Sequence, residues 1–163
     1  MIVRRLVPDV KHLSPEGGTR RYNPPAVAPD LLRIRASDWD RVASHLESCL
    51  PEEGCGLLAG RSSEVELILP IENAEHSPSH YHMEHRALIE AFNRVDQLGL
   101  DLLAAFHSHP HGPAGVSQSD LEEWQYPEAA LVVCTRLGGK WTARGFMAEG
   151  GGGREIQVLI DRG

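Results

Sequence analysis

His107, Ser108, His109 and Pro110 come directly after an apolar run, and Ser117, Gln118, Ser119 and Asp120 follow a short way downstream. Side chains on an extended chain alternate faces with period two, so the imidazoles of His107 and His109 project the same way and offer two aligned metal ligands. Pro110 stops the ladder, Gly112, Pro113 and Gly115 turn the chain, and Ser117 opens a helix whose apolar face continues with Leu121 and Trp124. If the turn folds that helix back over the strand end, Asp120 adds an oxygen to the two nitrogens. Three protein ligands with water in the fourth position is the arrangement of a catalytic zinc site. Upstream, Glu52 and Glu53 precede Gly54, Cys55 and Gly56. Either carboxylate could serve as a general base on residue type alone.

No single fragment is decisive. Nine histidines in 163 residues produce a His-x-His triplet by chance about half a time per chain, and this chain has three: His80-Tyr81-His82, His107-Ser108-His109 and His109-Pro110-His111. Ser117-x-x-Asp120 before an apolar run also reads as a capping box with Asp in place of Glu. The joint register says more. His107-Ser108-His109-Pro110, six residues, then Ser117-x-x-Asp120 resembles the JAMM signature of the MPN domain family at every defining position. Pro51 to Gly60 resembles that family's first segment, in which a Glu precedes x-Cys-Gly at the start of a strand, and that register favours Glu53 over Glu52. Asn73 and the Ser77-Pro78 loop leading to Tyr81 resemble bacterial members, so the similarity spans roughly residues 31 to 147.

The resemblance implies an α+β fold with a central mixed β-sheet flanked by helices, of cytidine-deaminase-like architecture. It implies that His107, His109 and Asp120 bind one Zn2+ per chain, that Glu53 takes the proton of the attacking water and hands it to the leaving amine, and that Ser117 steadies the tetrahedral intermediate. Zinc acidifies its water to a pKa of about 7. Family deubiquitinases carry a long insertion after the motif Asp. Here the strand expected over Ala129 to Thr135 begins within about ten residues of Asp120, too few for one, so the chain resembles the compact bacterial peptidases. The function implied is hydrolysis of the amide after the C-terminal Gly-Gly of a ubiquitin-like or sulfur-carrier protein, its tail extended along a strand edge. The alternative is a metal-binding scaffold without turnover. A zinc deaminase needs a P-C-x-x-C segment, and none occurs.

Around these residues, the sequence predicts a Pro-rich arm over 1–29 and one catalytic domain over 30–163, with no internal repeat. Strands are expected at Leu31 to Arg35, Gly56 to Arg61, Val65 to Ile71, Leu100 to Phe106, Ala129 to Thr135, Lys140 to Met147 and Glu155 to Ile160. Ser37 should cap a helix through Cys49, ended by Pro51, and Glu84 to Leu98 should form another, closed by Gly99. Gly150 to Gly153 reads as a flexible loop.

A net charge of -7 and a pI near 5.7 give no footprint for nucleic acid. No run of eighteen apolar residues predicts a membrane span, and Met1 to Glu16 lacks a signal peptide's apolar stretch. Three cysteines without paired spacing read as reduced thiols, so a cytoplasmic protein is expected. The sequence leaves a homodimer open. His76, His80, His82 and His85 are read as a polar loop and helix start rather than a second metal site, His111 as exposed and Cys55 as a buried strand residue. Trp39, Trp124 and Trp141 are expected in the core or at its edge.

Overall fold

Residues 29–163 are described by a computed structural model, and the arm expected over 1–29 therefore lies, Pro29 excepted, outside the described residues. Along the chain come β1 (Leu31–Arg35), α1 (Ala36–Cys49), β2 (Cys55–Arg61), β3 (Glu64–Ile71), α2 (His85–Gln97), β4 (Asp101–His109), α3 (Gln118–Glu123), β5 (Ala130–Leu137), β6 (Lys140–Glu149) and β7 (Gly152–Asp161). The pairing is mixed, as expected: β4 runs parallel to β5, and β1 parallel to both β3 and β7. Instead of staying open, the sheet curls into a closed barrel in the order β1-β3-β2-β4-β5-β6-β7. The seam between β1 and β3 is narrow. Arg33 pairs with Glu64, and the Arg33 N–H donates to the Ser63 carbonyl at 2.8 Å.

Helices pack on both faces of this curled sheet. In α1, Trp39, Val42 and Leu46 recur on one helical face and are buried with Leu32, Ile34, Leu103 and Phe106. In α2, Leu88 packs with Leu57, Leu102 and Ala105 in a second cluster on the opposite face. A bulge in β4 decides which side chains face which cluster. Leu58 pairs with Ala104 but Ala59 with Leu102, so Leu103 is an extra residue. Beyond the bulge, Ala105 joins the α2 cluster and Phe106 the α1 cluster. Regular alternation then sends His107 and His109 to the α2 side and Ser108 to the other.

Three local expectations are corrected. Ser37 does not cap α1; Arg35 occupies that position without a side-chain bond. The cause is β1, whose pairing with β7 holds Arg35 extended opposite Asp161, so the helix starts at Ala36 with no intervening loop. Gly150 to Gly153 is not a loop throughout. Only Gly150 and Gly151 turn, with φ of 59° and 80°, while Gly152 and Gly153 pair with Glu149 and Ala148 in a hairpin. Finally, β4 extends to His109, so both imidazoles sit within the ladder, paired with β5, rather than after it.

Candidate metal centre

His107 and His109 are delivered by the last turn of the β4 ladder, where His107 lies opposite Cys55 of β2 and Val133 of β5. Asp120 arrives from α3. Ser117 is the N-cap of that helix: its hydroxyl accepts from the Asp120 N–H at 3.1 Å, and its own N–H donates to Asp120 Oδ2 at 2.8 Å. The capping box read from Ser-x-x-Asp is thus formed. It fixes Asp120 so that Oδ2 lies 3.3 Å from His107 Nε2 and 3.5 Å from His109 Nε2, while the two Nε2 atoms are 3.0 Å apart.

Among the described residues, His107, His109 and Asp120 are the one group of three or more such side chains able to hold a metal. Ligand atoms about 2.0–2.1 Å from a tetrahedral ion lie about 3.3 Å apart, which the observed triangle matches. The chemistry of the donors fits as well. His109 Nδ1 donates to the Pro113 carbonyl at 3.0 Å, and this leaves the Nε2 lone pair facing the centre. Without a cation, two imidazole nitrogens in contact compete for protons beside a carboxylate. Burial lowers the pKa of His107 against the pull of Asp120. Burial opposes the charged form of His109 too, but the bonds to Asp120 and Pro113 prevail and its pKa is raised. Asp120, despite its own burial, is held far below the usual carboxylate range by the two rings and the Ser117 side chain.

Glu53 lies just before β2 and is 5% exposed. Its backbone is held on both sides. The Glu53 N–H donates to the Ser77 carbonyl at 2.8 Å, and its own carbonyl accepts from Asn73 Nδ2 at 3.1 Å. The next residue, Gly54, donates its N–H to Ser108 Oγ at 2.8 Å, and the Ser108 N–H donates to the Gly54 carbonyl. Burial, reinforced by Asp120 and opposed by His109, pushes the Glu53 carboxyl up to about 7. A carboxyl poised there can both accept and return a proton near neutrality.

Glu52, the competing carboxylate, instead pairs with His76 at 3.2 Å. Sequence reasoning assigned no site role to Ser108 or Tyr81. Ser108 was hidden as the spacer of the His-x-His triplet, although period-two alternation sends it to the face opposite the imidazoles. Tyr81 stacks on His107 with centroids 4.5 Å apart and planes inclined by 20°; its signal lay in the His/Ser/Pro-rich loop itself. His111 is exposed, Cys55 is buried with Sγ donating to the Ile71 carbonyl, Trp39 is in the core, and Trp124 and Trp141 lie at its edge.

The chain has a donor triangle with a buried carboxylate beside it, an arrangement suited to metal-dependent hydrolysis. It belongs to the family described as prokaryotic homologs of the JAB domain, which matches residues 35–146. Similar proteins include a probable TtuB-protein conjugate cleaving protease of Thermus thermophilus, 42% identical over 100 residues that cover 60% of this chain and 67% of the relative. A CysO-cysteine peptidase of Mycobacterium bovis is 29% identical over 105 residues, 63% of this chain and 72% of the relative. A solution structure of a Desulfitobacterium hafniense protein superposes with a TM-score of 0.72 at 26% identity, covering 81% of this chain and 94% of its own.

Proposed function

We propose that the protein is a zinc peptidase that hydrolyses the amide after the C-terminal Gly-Gly of a ubiquitin-like or sulfur-carrier protein, with one Zn2+ held by His107, His109 and Asp120. The observation that carries this reading is the placement of Glu53, buried and raised to a pKa of about 7, beside a triangle of metal-ligand spacing. Bound zinc would supply Lewis acidity toward the scissile carbonyl and an acidified water. Glu53 collects the proton released by the attacking water and delivers it to the leaving amine. Ser117 Oγ, at the mouth of α3, donates to the developing oxyanion.

The substrate reading draws on the two relatives, whose names describe cleavage of a TtuB-protein conjugate and of CysO-cysteine. The groove beside the site also supports it. His82 accepts from the Ala74 N–H, and the Glu84 N–H donates to the Glu72 carbonyl. Alternation then turns the Tyr81 and Met83 peptide groups the other way. Tyr81 and Met83 line a groove together with Leu57, Leu88, Asp120, Trp124 and Tyr126. An extended tail pairing there would reach the metal with its last glycine. No helix among the described residues is long and apolar enough to cross a membrane, and the free thiols of Cys49, Cys55 and Cys134 support a cytoplasmic setting. The domain bounds 30–163 and the cytidine-deaminase-like architecture belong to the same proposal.

The test is a zinc titration followed by turnover, with and without chelator, on a Gly-Gly-linked amine of a ubiquitin-like carrier and on unrelated peptides. Glu53→Gln should keep zinc and lose turnover, and His107→Ala should lose the metal. Activity surviving Glu53→Gln would sink the mechanism. Cleavage of unrelated peptides alone would sink the substrate assignment. Metal binding without any turnover would leave the scaffold reading in its place.

A further inference from the structure

Asn73, the second residue after β3, is 5% exposed and saturates its side-chain amide. Nδ2 donates to the Glu53 carbonyl at 3.1 Å and to the His80 carbonyl at 3.0 Å. Oδ1 accepts from the Glu75 and His82 N–H groups, both at 3.0 Å. One side chain thus joins the segment that carries Glu53 to the segment that carries Tyr81. The bonds at His80 and His82 bracket Tyr81, whose ring lies on His107.

We infer that Asn73 is a positioning residue for the reaction: it fixes the Glu53 carboxylate and the Tyr81 ring in a common frame about the metal ligands. Apart from Asn73, Glu53 is held by its N–H, which donates to the Ser77 carbonyl at 2.8 Å, and by the short link through Gly54 to β2, where the Gly54 N–H meets Ser108 Oγ. Its carbonyl is gripped from the opposite side by Asn73. Losing that grip lets the carboxylate swing about the Ser108 clamp. Proton transfer is sensitive to such a swing, because a displacement of about 1 Å costs on the order of 100-fold in rate. Metal ligation is less sensitive, since none of the four partners of Asn73 is a ligand residue and the Tyr81 ring touches His107 by stacking rather than by a bond.

The inference rests on the peptidase reading, and the two are tested by different comparisons. Asn73→Asp keeps the acceptor oxygen for Glu75 and His82 but places an oxygen against the Glu53 carbonyl; Asn73→Ser is too short to reach either side. Each is loaded with zinc and assayed on two substrates of one Gly-Gly carrier, an amide to the lysine ε-amine and an amide to the arylamine aminomethylcoumarin. An arylamine leaves with far less need of proton delivery.

For both variants kcat should fall about 10- to 100-fold on the lysine amide, with a clearly smaller loss on the arylamide. KM and zinc affinity should stay within about threefold of the parent, well below the loss in kcat. An equal loss on both substrates, a loss confined to KM, or a fall in zinc affinity that accounts for the lost rate would overturn the proposal. So would failure of both variants to fold, which would make Asn73 a residue of the fold. An inactive parent enzyme would instead refute the peptidase reading itself.

Discussion

Glu53 is costly to the fold in its ionised form, the form in which it is proposed to accept a proton. Its carboxyl ordinarily titrates at 4.5 and is raised to about 7 by burial first, then by Asp120. A group whose pKa is raised on folding contributes its full stability below the unfolded value, and that contribution is lost as the pH climbs through the folded one. In metal-free protein the window therefore runs from about pH 4.5 to about pH 7. Glu53→Gln removes the charge and should stabilise the metal-free protein above that window, by on the order of 1–2 kcal/mol once solvent access through the adjoining pocket is allowed for. Urea titrations of both proteins at about pH 4 and about pH 8 check this; a gain at the lower pH and none at the higher would refute it. The register that distinguishes Glu53 from Glu52 was legible only through the joint motif. Residue type could not separate two adjacent carboxylates, whereas in the structure Glu52 pairs with His76 and Glu53 lies beside Asp120.

Strands and helices were easier to read from the sequence than their junctions. The buried faces of α1 and α2 follow from apolar spacing, and Glu84 caps α2 with its own carboxylate, accepting from the Arg86 and Ala87 N–H groups. Ser37 and Gly152 misled because partners distant in sequence decide their state: β7 holds Arg35 extended, and β6 draws Gly152 and Gly153 into a ladder. Gly56 has a similar long-range cause. A Cβ there would stand 2.5 Å from both the Leu69 carbonyl and the Phe106 ring, so the close approach of β2 to its neighbours requires glycine. The connection between β4 and α3 depends on β6 in turn. Arg144 grips Glu155 through two 2.8 Å bonds and donates Nη1 to the Ala114 carbonyl, beside Pro113, which orients His109. As an exposed ion pair Arg144 adds little to the stability of the fold, yet it holds the loop that orients His109. Arg144→Met should weaken zinc affinity about tenfold while moving the thermal midpoint little. Competition with a chromogenic chelator measures the first effect, and an unchanged affinity would show that the loop holds itself.

Barrel closure was not legible at all, because it depends on one residue pair, Arg33 with Glu64, whose register no local pattern encodes. That closure determines what a bound metal would do for the whole molecule. Every named strand has partners on both sides, and the two apolar clusters fill the two faces of the sheet, the α2 cluster on the same face as the imidazoles. The proposed ligands come from one strand end and one six-residue helix, so a bound ion would tie a single connection to a sheet that is already closed. This differs from small zinc domains, in which the metal supplies the folding energy outright. Chelation should therefore abolish turnover while leaving the far-ultraviolet circular dichroism unchanged. The thermal midpoint should still fall, since an ion present at about a thousand times its Kd contributes about 4 kcal/mol by linkage. Adding zinc back should restore both activity and midpoint without a refolding step. Loss of the strand signal on chelation would contradict the barrel's independence and make the metal a structural element.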